Sequence, residues 1–104
     1  MVESGSFYST VLDPILAPMR KRVTEEINAG EKVIDIACGT GAQIFEISGI
    51  ASVTVGVDLS ESMINQANKT CTKKGISNAS FLVCDATNLS ETETKSFDVA
   101  IMSL

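Results

Sequence analysis

Apolar residues recur along this chain with two periods. Near the start, Val11, Leu12, Ile15, Leu16, Met19, Val23 and Ile27 keep helical spacing, the pattern of an amphipathic helix. Pro14 and Pro18 cut across it, and proline is tolerated in a first turn but costly further in. The pattern therefore predicts a short helical piece over 7–12 and a longer helix over about 18–28, with Gly30 just past its end. Beyond Gly30 short runs rich in β-branched residues take over, at 32–37, 53–57, 80–84 and 97–102. Helix-competent stretches separate them. One follows Gly41 to about Ser48. Another opens at Ser60, a good N-cap with Glu61 behind it, carries Met63, Ile64, Ala67 and Cys71 as its inward stripe, and stops at Gly75. Alternating strands and helices predict an α/β fold with a parallel sheet and right-handed crossovers.

The most informative junction is Val33-Ile34-Asp35-Ile36-Ala37-Cys38-Gly39-Thr40-Gly41. A buried strand carries one acid and breaks into Gly-Thr-Gly before a helix. Such a turn lets a ligand approach bare backbone. Two further strands also end in acids, Asp58 and Asp85. In open α/β sheets, ligands bind beyond the carboxyl ends of the strands. Solvated loop acids and helix caps are the plain alternative for the three carboxylates, but their joint spacing favours a nucleoside-cofactor site.

Composition narrows the partners. The 104 residues allow one domain, and 44% hydrophobic residues mark it as globular. Thirteen acids against eight bases leave a net charge of −5. With Arg20-Lys21-Arg22 as the densest basic stretch, no surface for tracking nucleic-acid phosphates is expected. No apolar run is long enough for a bilayer, and no signal peptide is recognisable. Cys38, Cys71 and Cys84 lack CxxC spacing and there is no histidine, so no metal site is expected. The cysteines read as small buried hydrophobes in a reducing cytoplasm.

The residues around the turn bear on the cofactor's identity. A dinucleotide loop reads G-x-G-x-x-G, but Ile44 stands at the third glycine position. Asp35 before the turn would repel a pyrophosphate, and no Lys or Arg lies between Gly39 and Ser60 to hold one. S-adenosylmethionine meets these conditions: it has no phosphate and carries an ammonium and a sulfonium. Asp58 can accept from its ribose hydroxyls and Asp85 from its adenine amino group. Leu59 and Met63 can pack on the adenine face, or serve equally as core.

These motifs, with the segments 33–43, 55–64, 81–89 and 97–104, resemble those of class I S-adenosylmethionine-dependent methyltransferases, most closely the small-molecule type of quinone biosynthesis. The resemblance covers about residue 31 onward. It implies a Rossmann-like sheet with strand order 3-2-1-4 and helices on both faces, truncated relative to the family's seven-stranded fold. Residues 1–30 then form an N-terminal helical segment and 31–104 a partial cofactor-binding domain. Asp35, Gly39 and Gly41 would line the methionine end. Asp58 would take the ribose, Leu59 and Met63 would flank the adenine, and Asp85 and Ala86 would meet its edge. Ser103 would lie beside the methionine moiety. Tyr8 would reach the methionine carboxylate unless, as is commoner for such an aromatic, it simply packs.

The implied activity is methyl transfer to a small-molecule acceptor. The half of the fold that usually forms the acceptor wall is missing from the motifs present; with no histidine and the best-placed acids given to the cofactor, no catalytic base is assigned. A non-catalytic cofactor-binding or dimerisation module is the alternative, and a nicotinamide-dependent enzyme is disfavoured by Asp35 and Ile44. The outer edge of strand four would expose backbone and apolar side chains, which predicts a homodimer through that edge.

Overall fold

The computed structural model describes residues 13–89 and 95–102. The expected piece at 7–12, Tyr8 and Ser103 lie outside them. Helix α1 spans Asp13–Glu25 with Pro18 inside it, so it begins earlier and ends sooner than the predicted 18–28. Pro14 sits in the first turn, where the missing N–H has no intrahelical acceptor to lose. Pro18 faces solvent, so water can bond the carbonyl that it leaves without a donor. The helix unwinds through tight bonds from Glu26 N–H to Val23 O (3.0 Å) and from Ile27 N–H to Thr24 O (3.1 Å).

The remaining elements are β1 (Lys32–Ile36), α2 (Ala42–Ile47), β2 (Val53–Asp58), α3 (Glu61–Lys74), β3 (Ala79–Val83), a single 3₁₀ turn (Ala86–Asn88) and β4 (Val99–Met102). The sheet is parallel with order β3-β2-β1-β4, as the resemblance implied. Strand β1 stops one residue short of the predicted Ala37, because Ala37 turns to φ +65° and cannot continue an extended ladder. Strand β4 starts two residues later than predicted. Asp98 precedes it and locks its start to β1: Asp98 Oδ2 accepts from Lys32 N–H (2.8 Å), and Asp98 N–H donates to Lys32 O (2.8 Å). Helix α3 follows its predicted punctuation. Ser60 Oγ accepts from Met63 N–H at 3.3 Å, and Gly75, at φ +66°, closes the other end on the carbonyls of Cys71 and Thr72.

Strand register pairs Asp35 with Gly56 and Ile101, and Gly56 with Phe81, so these side-chain positions share one face. Helices α2 and α3 pack on it. Ile44 joins Cys38, Ile64, Ala67 and Phe81, while Ile47 joins Ile27, Val33 and Ala51. Helix α2 thus anchors both halves of the core. Complete burial of Ile44 and Ile47 contributes about 1.5–3 kcal/mol each. Helix α1 lies beside α2. On the other face of the sheet, Ile34, Val55, Val57 and Leu82 floor a groove of about 520 Å³ bordered by Leu89 and Phe97 from the β3–β4 connection.

Candidate functional site

The glycine turn links β1 to α2. Three of its five residues have positive φ: Ala37 at +65°, Gly39 at +59° and Gly41 at +90°. At Gly41 space also matters. A Cβ there would lie 2.9 Å from Cε1 and Cζ of Phe81 and 3.1 Å from Phe45 Cε2. Gly56 is shielded in the same way, since its Cβ would meet Cys38 Sγ and Phe81 Cδ1 at 2.8 Å. The Phe81 ring therefore fills the gap between two glycines and supports the turn from within the sheet. It also tilts against Phe45, with centroids 5.5 Å apart and planes at 59°.

Asp58 closes the turn on its outer side. Its Oδ2 accepts from Gly39 N–H at 2.8 Å, and its Oδ1 accepts from Ser60 N–H at 2.8 Å. The glycine turn and the entry to α3 therefore share one carboxylate. Each of its oxygens has a second lone pair, so the group is oriented by the protein and can still accept from a ligand. The Asp58 carbonyl accepts from Cys84 N–H at 2.9 Å, which brings the end of β3 alongside. There Asp85 caps the 3₁₀ turn. Its Oδ1 accepts from Thr87 N–H (2.9 Å) and Thr87 Oγ1–H (2.8 Å). These bonds, the backbone one first, hold its carboxyl below the usual carboxylate range.

Asp35 is fully buried, in the layer between the sheet and the helices. Leu59 is 72% exposed at the end of β2. Met63 is half-buried and Ala86 is exposed. The structure thus gathers Gly39, Gly41, Asp58, Leu59 and Asp85 along the carboxyl edge of the strands, with Asp35 buried within β1. Burial pushes the Cys38 thiol far above the usual range, and the charges of Asp35 and then Asp58 push it further.

Three contributors were not predicted from the sequence: Phe81, Gly56 and Gln43. An aromatic residue on β3 and a glycine inside β2 are the signals that could have pointed to the first two, since glycine within a strand often marks close approach of another group.

The fold is an open parallel α/β sheet with a glycine turn and strand-end carboxylates at its carboxyl edge, the arrangement of a nucleoside-cofactor domain. The match to a family model described as a methyltransferase domain covers residues 27–104. The chain belongs to that family. Aklanonic acid methyltransferase DauC of Streptomyces sp. (strain C5) is 36% identical over 89 residues, which are 81% of this chain and 40% of that protein. The chain thus spans well under half the length of this curated relative. Among solved structures, an S-adenosylmethionine-dependent methyltransferase from Aquifex aeolicus matches with a TM-score of 0.75 at 21% identity, over 95% of this chain and 56% of that one. Phosphoethanolamine N-methyltransferase 1 of Haemonchus contortus matches with a TM-score of 0.76 at 22% identity, over 88% of this chain and 20% of that one. These two likenesses are likenesses of fold.

Proposed function

We propose that this chain is the cofactor-holding part of a methyltransferase that uses S-adenosylmethionine and acts on a small molecule. The observation that carries the reading is the Asp58 carboxylate, held at 2.8 Å by the N–H groups of Gly39 and Ser60 in a turn region without a single Lys or Arg from residue 39 to 60. That carboxylate acceptor suits a cofactor with ribose hydroxyls and a cationic centre, and it opposes a pyrophosphate. Exposed Leu59 and half-buried Met63 offer an apolar flank for a base, with Asp85 and Ala86 at its edge and Gly39 and Gly41 under the amino-acid end. Ser103 is assigned to that same end by the resemblance alone. Buried Asp35 would add negative charge that suits a cationic cofactor. A small-molecule acceptor is supported by the relatives: DauC is named for aklanonic acid, and the Haemonchus structure contains phosphoethanolamine and S-adenosylhomocysteine.

When bound, the cofactor supplies an electrophilic methyl group on sulfur. The chain's residues would orient it, the turn holding one end and Asp58 the ribose. Rate enhancement then comes from aligning the acceptor and excluding water. No residue is assigned as a general base. Among the described residues β4 pairs with β1 alone, and its outer edge is the surface proposed to pair with a second copy of the chain. The free thiols of Cys38, Cys71 and Cys84 agree with a cytoplasmic setting, and no helix among the described residues is long and apolar enough to cross a membrane.

Calorimetry with S-adenosylhomocysteine and with NAD tests the reading. The first is expected to bind and the second not. Asp58→Ala is expected to weaken S-adenosylhomocysteine by about 1–3 kcal/mol, the usual loss for hydrogen bonds to a charged group. NAD binding without S-adenosylhomocysteine binding overturns the proposal.

A further inference from the structure

Gln43 is a polar side chain in an apolar layer. It lies two residues past Gly41, on the inner face of α2, and is only 5% exposed. Its Nε2 donates out of its own helix, to the carbonyl of Arg20 at 3.0 Å and to Thr24 Oγ1 at 2.9 Å. The Thr24 hydroxyl also lies 3.0 Å from the Arg20 carbonyl and 3.1 Å from Glu46 Oε2. Glu46 returns to α1 through the Arg20 guanidinium, with Oε1 3.7 Å from Nε. Two positions one turn apart on each helix thus form a single polar set that fastens α2 to α1.

The tie matters because of what α2 begins with. This helix has six residues, and isolated helices shorter than about 12–15 residues are marginal in water. Its leading end is the glycine turn, which needs positive φ at Ala37, Gly39 and Gly41. So short a helix cannot impose that geometry alone. Phe81 supports the turn at Gly41 from the sheet, and Asp58 holds Gly39 from the end of β2. Support from the third side comes from α1, through Gln43. A purely apolar residue at 43 would fill the space but would not choose a position along α1. The amide does, because its two acceptors are fixed points on that helix.

We propose that Gln43 is a positioning residue, which holds the glycine turn in its ligand-receiving shape by tying α2 to α1. This rests on reading the turn as the S-adenosylmethionine site. A merely structural amide would stabilise the fold and leave the site indifferent. The structure provides a matched control for that case in Asn78. Its Nδ2 also donates twice, to the carbonyls of Ser48 (2.8 Å) and Ala51 (3.1 Å), but at the amino edge of the sheet, away from the turn.

The experiment compares Gln43→Met, Thr24→Val, the double variant and Asn78→Ala, with S-adenosylhomocysteine affinity measured well below each Tm. Gln43→Met is expected to weaken binding by about 3- to 30-fold, the range seen when a coupling contact remote from a ligand is cut. Thr24→Val is expected to weaken it in the same sense, and the double variant no more than Gln43→Met alone. Asn78→Ala is expected to lower Tm and leave affinity unchanged. Equal effects of Gln43→Met and Asn78→Ala on affinity, or none from Gln43→Met, overturn the proposal. If the wild-type chain does not bind S-adenosylhomocysteine, the cofactor reading fails. The tie is then judged without ligand, by amide hydrogen exchange over residues 38–42, which reports local opening. Faster exchange in Gln43→Met than in Asn78→Ala supports it, and equal exchange overturns it.

Discussion

Gly41→Ala would put a methyl group where the Phe81 ring already lies. Two costs follow. The backbone at Gly41 has φ +90° and ψ 9°, and a left-handed conformation costs an L-residue roughly 1–2 kcal/mol. The added Cβ would also sit 2.9 Å from two Phe81 ring carbons and 3.1 Å from Phe45. The ring cannot retreat, because the Gly56 backbone and Cys38 box it from the other side and Phe81 is only 6% exposed. Overpacking of this kind costs about 1–3 kcal/mol, for a total of about 2–5 kcal/mol. Gly30 separates the two contributions. Its φ is +84°, and a Cβ there meets nothing within 4 Å, so Gly30→Ala carries only the conformational cost of about 1–2 kcal/mol. Urea unfolding followed by circular dichroism measures both variants. Gly41→Ala is expected to lose about 1–3 kcal/mol more than Gly30→Ala, and adding Phe81→Leu to Gly41→Ala to cost less than the sum of the single losses. Equal losses at Gly30 and Gly41 would refute the idea that Phe81 supports the turn by contact.

Three further outcomes follow from the same structure. The Asp85 carboxyl is held low by its two bonds from Thr87; a depressed folded pKa means that its cap is fully present above the ordinary carboxylate range and is lost only as pH falls through the lowered value. In an NMR titration, Thr87→Ala should move that carboxyl part of the way back up, since the larger contribution, from the Thr87 backbone N–H, remains; an unmoved carboxyl counts against the cap. Burial and the two neighbouring acids keep Cys38 protonated, so a thiol reagent at pH 8 should modify half-buried Cys84 well before Cys38, which reacts only as the chain unfolds; equal rates in the native protein contradict this. Light scattering at micromolar concentration should report a dimer if β4 pairs with a second copy, and a monodisperse monomer rules that pairing out.

The strands were legible because β-branched runs, strand-end acids and capping residues are local signals, whereas their order came from the family resemblance. Ser60 and Gly75 set the bounds of α3 for that reason. The boundaries that moved did so for reasons outside their own segments. Ala37 leaves β1 because the turn needs a left-handed residue there, which alanine's propensity does not advertise. Pro18 remains helical because its side of α1 faces water.

The site divides along the same line. Gly39, Gly41, Asp58 and Asp85 could be proposed from spacing because a glycine turn and strand-end acids have a local signature. What holds them could not. Asp58 meets Gly39 across 19 residues, and Gln43 meets Arg20 across 23, and each bond exists only once the sheet and helices have assembled. The three glycines of this region also answer to different demands. Gly39 supplies dihedral freedom, Gly56 supplies space for Phe81, and Gly41 supplies both. A G-x-G pattern identifies the first demand and is silent on the second. Substitutions that test dihedral freedom alone would therefore miss that the turn's shape is set by an aromatic ring from β3 and an amide reaching to α1, neither of which belongs to the glycine motif.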